Sequence, residues 1–274
     1  MDTYEILSAT RSFLGIPNED DFGSIQLLRM ANLGQSLLVQ QIMILFHEFL
    51  TDTTNFSSQT GSTVAIPENL LTLISLERKD SSGDFQPTSP VVPMDKPLID
   101  KDPNYEASEK YPLHVHEGRL LSIYPTLSST DVKLRFRKRV EDMIWGSITR
   151  VTDATATMPA MSEPVDDIYN DYRVGIYSFA SATWTFQGLA LITDYVGSTK
   201  VATVSGVTIS AGTTYWAALV PIVPPQFHNL ILEATILFTK RMNRFKDQFP
   251  DFNFNSEQAE FINQIQSLVK TFLS

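Results

Sequence analysis

Residues 63–80, TVAIPENLLTLISLERKD, and 111–146, YPLHVHEGRLLSIYPTLSSTDVKLRFRKRVEDMIWG, carry the densest strand signal in the chain. Within the second stretch Val132, Leu134 and Phe136 alternate with Lys133, Arg135 and Arg137, so a strand here has one apolar and one cationic face. Lys138 and Arg139 extend the run, which holds five of the 21 basic residues. Such a face is either solvated, or it meets an acidic neighbouring subunit or a phosphate backbone, to which arginine offers forked donors. Lys133, Arg135, Arg137, Lys138 and Arg139 are therefore the candidate subunit-interface residues. Between the two stretches lies the proline-rich QPTSPVVPMDKPLIDKDP (86–103), which reads as a long loop within a β domain.

Helical patterns flank these strands. A first helix is expected over 3–14, stopped by Gly15. A second is expected from a cap at Asn18 to about residue 50, with Glu19, Asp20 and Asp21 in the first turn, where the helix dipole favours carboxylates. Its apolar residues, from Phe22 and Ile25 through Leu28, Leu38 and Ile42 to Phe49, recur at steps of three and four. Asn32-Leu33-Gly34 is the expected kink. Residues 51–62, TDTTNFSSQTGS, read as a polar linker. After a polar segment (152–170) ending in acidic residues, strand patterns return in YRVGIYSF, TWTFQGLALI, STKVATV and TYWAALVPIV. Pro224-Pro225 then starts a helix with Phe227, Leu230, Ile231 and Ala234 on one face. A last helix is expected from a cap at Asn255, with Gln258 completing a capping box.

Helices, then many strands, then helices, with no strand-helix alternation, place the chain in the α+β class. The expected architecture is a mainly antiparallel β-sandwich or barrel-like domain packed with N- and C-terminal helices. The expected domains are a helical segment (1–50), a β domain (63–223) with inserted loops at 86–103 and 152–170, and C-terminal helices (224–274) packing on the N-terminal ones.

Composition narrows the chemistry. Hydrophobic residues at 43% and charged residues at 19% describe a globular protein rather than a disordered one. A net charge of −10 argues against nucleic-acid binding over the whole surface and leaves room for a local basic site. The chain has no cysteine, which removes disulfides, thiolate metal sites and thiol nucleophiles. The start MDTYEILSATRSFLG has neither a basic region nor an unbroken apolar run, so no signal peptide is expected. No membrane span is expected either, because the most apolar segment, 37–50, is interrupted by Gln40, Gln41, His47 and Glu48.

No nucleophile elbow, phosphate-binding loop, dinucleotide fingerprint or His-Glu-x-x-His occurs, and the expectation is a non-enzymatic protein with no catalytic residue and no cofactor. His114 and His116 flank Val115 on one side of a strand, a spacing that can chelate zinc with Glu117 nearby. The other histidines, His47 and His228, fall in helices, so the pair reads as structural or simply exposed and no metal is expected. Asp166, Asp167 and Asp171 lack the spacing of a calcium loop and read as a solvated or partner-facing acidic patch.

Several stretches together resemble a known layout. Val64-Ala65-Ile66-Pro67-Glu68-Asn69-Leu70-Leu71, Tyr111-Pro112 with Gly118, Ile123-Tyr124-Pro125, the basic strand from Val132 to Arg139, and Trp145 follow one another as in structural proteins of tailed bacteriophages. Pro224-Pro225-Gln226-Phe227-His228-Asn229-Leu230-Ile231 resembles the start of their closing helix. The chain thus resembles head-to-tail connector or neck proteins, also called portal adaptors or ring proteins, including those of crAss-like phages. It departs from them at Val140-Glu141, where a proline commonly follows the basic strand, and in its long 152–220 section. The resemblance implies a virion protein of the neck or tail, made in the host bacterial cytoplasm. It implies a homo-oligomeric ring, commonly a dodecamer, that contacts the portal and other neck or tail proteins. Double-stranded DNA would pass through the lumen during genome ejection, with Asp166, Asp167 and Asp171 facing the lumen or a neighbour. The alternative is a carbohydrate- or receptor-binding β module of a virion or tail, with Trp184, Tyr215 and Trp216 as stacking surface; in apolar strand patterns such rings otherwise serve the core.

Overall fold

A computed structural model describes residues 1–16, 23–67, 69–99, 101, 106–180, 183–242, 245 and 247–273. It contains helices and two mostly antiparallel sheets, one of them closed into a barrel, as the α+β reading expects. The strands do not form the single expected β domain. The chain divides into two compact units, one made of 48–139 and the other of 1–47 with 140–274.

The 48–139 unit is built around one long strand. Its elements are β1 (Thr51–Ala65), β2 (Leu70–Lys79), β3 (Phe85–Pro87), β4 (Ser89–Val91), β5 (Leu113–Glu117) and β6 (Leu120–Lys138). β6 pairs along one edge with β1, from Thr51 opposite Arg137 to Ala65 opposite Leu120. Its other edge is shared by β2 (Arg78 opposite Val132) and β5 (Glu117 opposite Leu120). β3 extends the sheet from β2, and β4 joins β5 in parallel. The apolar face of β6 is buried as expected: Val132, Leu134 and Phe136 pack with Val64, Leu76, Leu121, Ile123 and Leu127.

One expectation in this unit fails. Residues 51–62 are not a linker but most of β1, because their threonines suit a pleated surface and β6 supplies a full-length partner. Register shifts between Phe56 and Thr63, with Ser58 and Gly61 at positive φ, absorb the serine- and glycine-rich part. The proline-rich loop supplies β3, β4 and a 3-10 turn, Pro93–Leu98, followed by the buried Ile99.

In the other unit β7 (Trp145–Thr152), β8 (Thr155–Thr157), β9 (Arg173–Ala180), β10 (Thr183–Val196), β11 (Val201–Ser205) and β12 (Tyr215–Leu219) close a barrel in the order β10-β11-β8-β7-β12-β9. Ile148, Ile176, Ile192, Val204, Tyr215 and Leu219 are among its core residues. Residues 158–172 are more than a polar loop, since Ile168 and Tyr169 join that core. The Glu163 peptide is held from both sides: its N–H donates to Tyr169 Oη (3.0 Å) and its carbonyl accepts from Tyr195 Oη (2.7 Å).

The same unit carries α1 (Thr3–Leu14), α2 (Ser24–Leu45), α3 (His228–Lys240) and α4 (Phe254–Leu273). N- and C-terminal helices pack as expected, α1 and α2 against α3 and α2 also against α4. α2 shows no break at Asn32-Leu33-Gly34. Asn32 instead grips the Met143 peptide, accepting from its N–H at 2.7 Å and donating to its carbonyl at 3.3 Å. The expected cap at Asn18 lies outside the described residues. α4 starts before Asn255; the cap is Asn253, whose side-chain oxygen accepts from Ser256 N at 3.4 Å.

Candidate functional site

The cationic face of β6 is matched by carboxylates of its own unit. Lys133 Nζ lies 3.5 Å from Glu77 Oε2 on β2, and Lys138 Nζ lies 2.7 Å from Asp52 Oδ2 on β1. Arg135 pairs with Glu48, just before β1. Just before the basic stretch of the strand, Asp131 accepts from Lys79 Nζ at 3.2 Å and from Ser58 N at 3.0 Å. Burial pushes the Asp52 carboxyl upward, but the hydrogen bonds from Lys138 and the Thr53 N–H outweigh it and hold the group below its ordinary range. Arg137 and Arg139 are half-buried like the others. These five cations thus lie along one strand and its exit, and a carboxylate of a neighbour would compete with local ones.

Asp166, Asp167 and Asp171 are exposed and shape turns in the segment over the barrel. Asp166 Oδ1 accepts from Gly197 N at 2.7 Å, and Asp167 Oδ1 from Asn170 Nδ2 at 2.8 Å. Asp167 and Asp171 both adopt positive φ, which aspartate tolerates better than most residues.

The His-x-His pair is split by environment. His114 is buried with Nδ1 2.7 Å from Thr88 Oγ1; burial first, and His116 second, push its pKa down. His116 is exposed, with Nε2 3.1 Å from the Gly118 carbonyl. Glu117 is engaged by Lys96 and by Ser122, which hold its carboxyl below the usual range. Among the described residues no group of three or more His, Asp or Glu side chains is placed to hold a metal ion, and no helix is long and apolar enough to cross a membrane.

The most concentrated feature of the barrel unit is aromatic. Trp145, Trp184 and Trp216 are mutual neighbours, with ring centroids 5.1 Å apart for Trp145–Trp184, 4.8 Å for Trp145–Trp216 and 4.9 Å for Trp184–Trp216. Tyr4 of α1 lies on Trp145 at 4.8 Å and on Tyr177 at 4.6 Å. Phe179 sits 4.5 Å from Trp184, and Phe186 sits 5.2 Å from Tyr177. Trp145 and Tyr177 are buried, Trp184 and Trp216 half-buried, and Phe179 and Phe186 exposed. Tyr215 faces the other way, into the barrel core. Two of the three rings expected to form a stacking surface therefore meet. Trp145, Tyr177 and Tyr4 complete the cluster, and strand alternation already places Tyr177 with Phe179, and Trp184 with Phe186, on common faces. An edge of exposed rings over a packed aromatic base can stack on a sugar ring or an apolar side chain.

No protein-family model matches the chain, and no curated protein matches it.

Proposed function

We propose that this chain is a structural subunit that assembles with copies of itself into a ring in the neck or tail of a tailed bacteriophage. There it joins the portal to the tail and lets double-stranded DNA pass. The observation that supports assembly is the number of large apolar side chains left exposed on separate elements. Ile25, Leu33 and Ile44 emerge along α2, Leu71 and Ile74 along β2, and Phe186, Leu189 and Leu191 along β10. Subunits that bury several faces against neighbours carry such side chains. The phage neck assignment itself rests on the sequence resemblance. No catalysis, metal or cofactor belongs to this reading. Its test is the mass of the purified protein, alone and with its portal, by light scattering and negative-stain microscopy. A stable monomer that binds neither the portal nor another neck component ends it.

A second reading, a carbohydrate- or receptor-binding module, is supported by the convergence of Trp184 and Trp216 beside the exposed Phe179 and Phe186. Tryptophan emission that does not respond to host surface glycans or receptor preparations would remove it.

A further inference from the structure

The first turn of α1 is fastened to the barrel and to α3 by contacts from distant parts of the chain. Asp2 caps the helix, accepting from Glu5 N at 3.0 Å through Oδ1, and accepts from Tyr177 Oη at 2.7 Å through Oδ2. Glu5 returns the cap by accepting from Asp2 N at 2.9 Å. Thr3 Oγ1 donates to the Leu219 carbonyl. Gly175 makes room for the carboxylate, since a Cβ there would lie 2.2 Å from Asp2 Oδ2.

The remaining fastener depends on protonation state. His228, buried at the start of α3, has Nε2 2.9 Å from the Val223 carbonyl and Nδ1 2.9 Å from the Met1 nitrogen. The carbonyl requires the proton on Nε2, which leaves Nδ1 as the acceptor for Met1. Only the neutral ring satisfies both contacts. Protonation places two donors against each other.

We propose that the first turn of α1 is an acid-released latch over the aromatic face of the barrel: protonation of His228 frees residues 1–5 and lifts Tyr4 from Trp145 and Tyr177. The charged groups acting on His228 are the Met1 amino group and Glu5. Glu5 and the Val223 carbonyl favour the cation, but burial outweighs them and holds the ring below its ordinary pKa. Docking is therefore complete above the free imidazole value of about 6.5 and weakens as pH falls from there towards the docked value. Asp2 has the opposite sign. Burial lifts its pKa, so its protonation in the carboxylate range favours docking rather than opposing it. The latch is independent of the assembly reading.

Hydrogen exchange on the full chain between pH 7.5 and 5 tests this. After correction for intrinsic exchange, amides in the first turns of α1 should lose protection by up to about tenfold per pH unit, the limit for one linked proton. Amides of β9, β10 and β12 should hold, and tryptophan emission should change in step. His228→Gln, which keeps a donor and an acceptor but does not titrate, should abolish the pH dependence. An unchanged dependence in that variant, or pH-independent protection in the unaltered chain, overturns the proposal. Should the variant not fold, NMR titration of the His228 ring in the unaltered protein decides. A midpoint at or above the ordinary histidine value overturns the latch, and a lower one tracking the loss of protection supports it.

Discussion

Gly34 of α2 and Ala234 of α3 touch where the N- and C-terminal helices cross. A Cβ on Gly34 would lie 2.9 Å from Ala234 Cβ and 3.3 Å from the Ile231 carbonyl oxygen. The glycine that looks from sequence like a weak point in α2 is a site of close helix approach. Gly34→Val forces the helices apart and should cost about 1–3 kcal/mol, the usual penalty for overpacking. Denaturant unfolding measures it, and a midpoint equal to that of the unaltered chain would remove the close-contact account.

Lys240 fastens the same helical layer from the other end. Its Nζ lies 5.8, 5.0 and 5.6 Å from the ring centroids of Phe13, Phe249 and Phe252, and 3.8 Å from Glu257 Oε2. Lys240→Met keeps the apolar stem and removes the charge. A loss of about 0.5–2 kcal/mol is expected from the cation–π contacts, read as a lowered Tm.

Arg78 predicts a gain. Its side chain is buried on β2, Nε and Nη1 have no hydrogen-bond partner among the described residues, and Nη2 reaches Glu109 only at 3.7 Å. Buried donors without acceptors cost about 1–3 kcal/mol, so Arg78→Met should raise the stability of the 48–139 unit. A clear drop in midpoint would show that the guanidinium contributes more than it costs.

The ion pairs of β6 make the unit acid-sensitive. The folded Asp52 pKa is depressed, so its contribution is present above the unfolded value of about 3.9 and is lost as pH falls through the folded value. Asp52→Asn should flatten this part of a pH–stability curve measured between pH 5 and 2. A curve that keeps its slope assigns the acid loss to other groups.

Charge changes on the strand must be interpreted with those pairs in mind. Arg135→Gln loses the half-exposed Glu48 pair, which contributes at most about 1 kcal/mol, and the unit should remain folded. If assembly nevertheless fails in sedimentation, the strand faces a neighbour. Unchanged assembly returns Arg135 to an intra-unit role.

Sequence alone determined the faces of the elements. The alternation from Val132 to Arg137 assigned one side of β6 to the core, and the helical stripes identified the surfaces by which the N- and C-terminal helices pack. Those properties follow from local periodicity, which needs no knowledge of the partner. Partnership came only with tertiary structure. Nothing in TDTTNFSSQTGS names β6 as its neighbour, so this threonine-rich segment has a linker's composition and becomes a strand only through a full-length edge to pair with. For the same reason nothing in the strand patterns themselves divides them between the two units to which they belong. The aromatic cluster joins Tyr4, Trp145, Tyr177, Trp184 and Trp216 across the length of the chain, and the contact of His228 with Met1 spans almost all of it. Chain spacing fixes which way a side chain points, whereas the choice of what it meets is made by packing between distant segments.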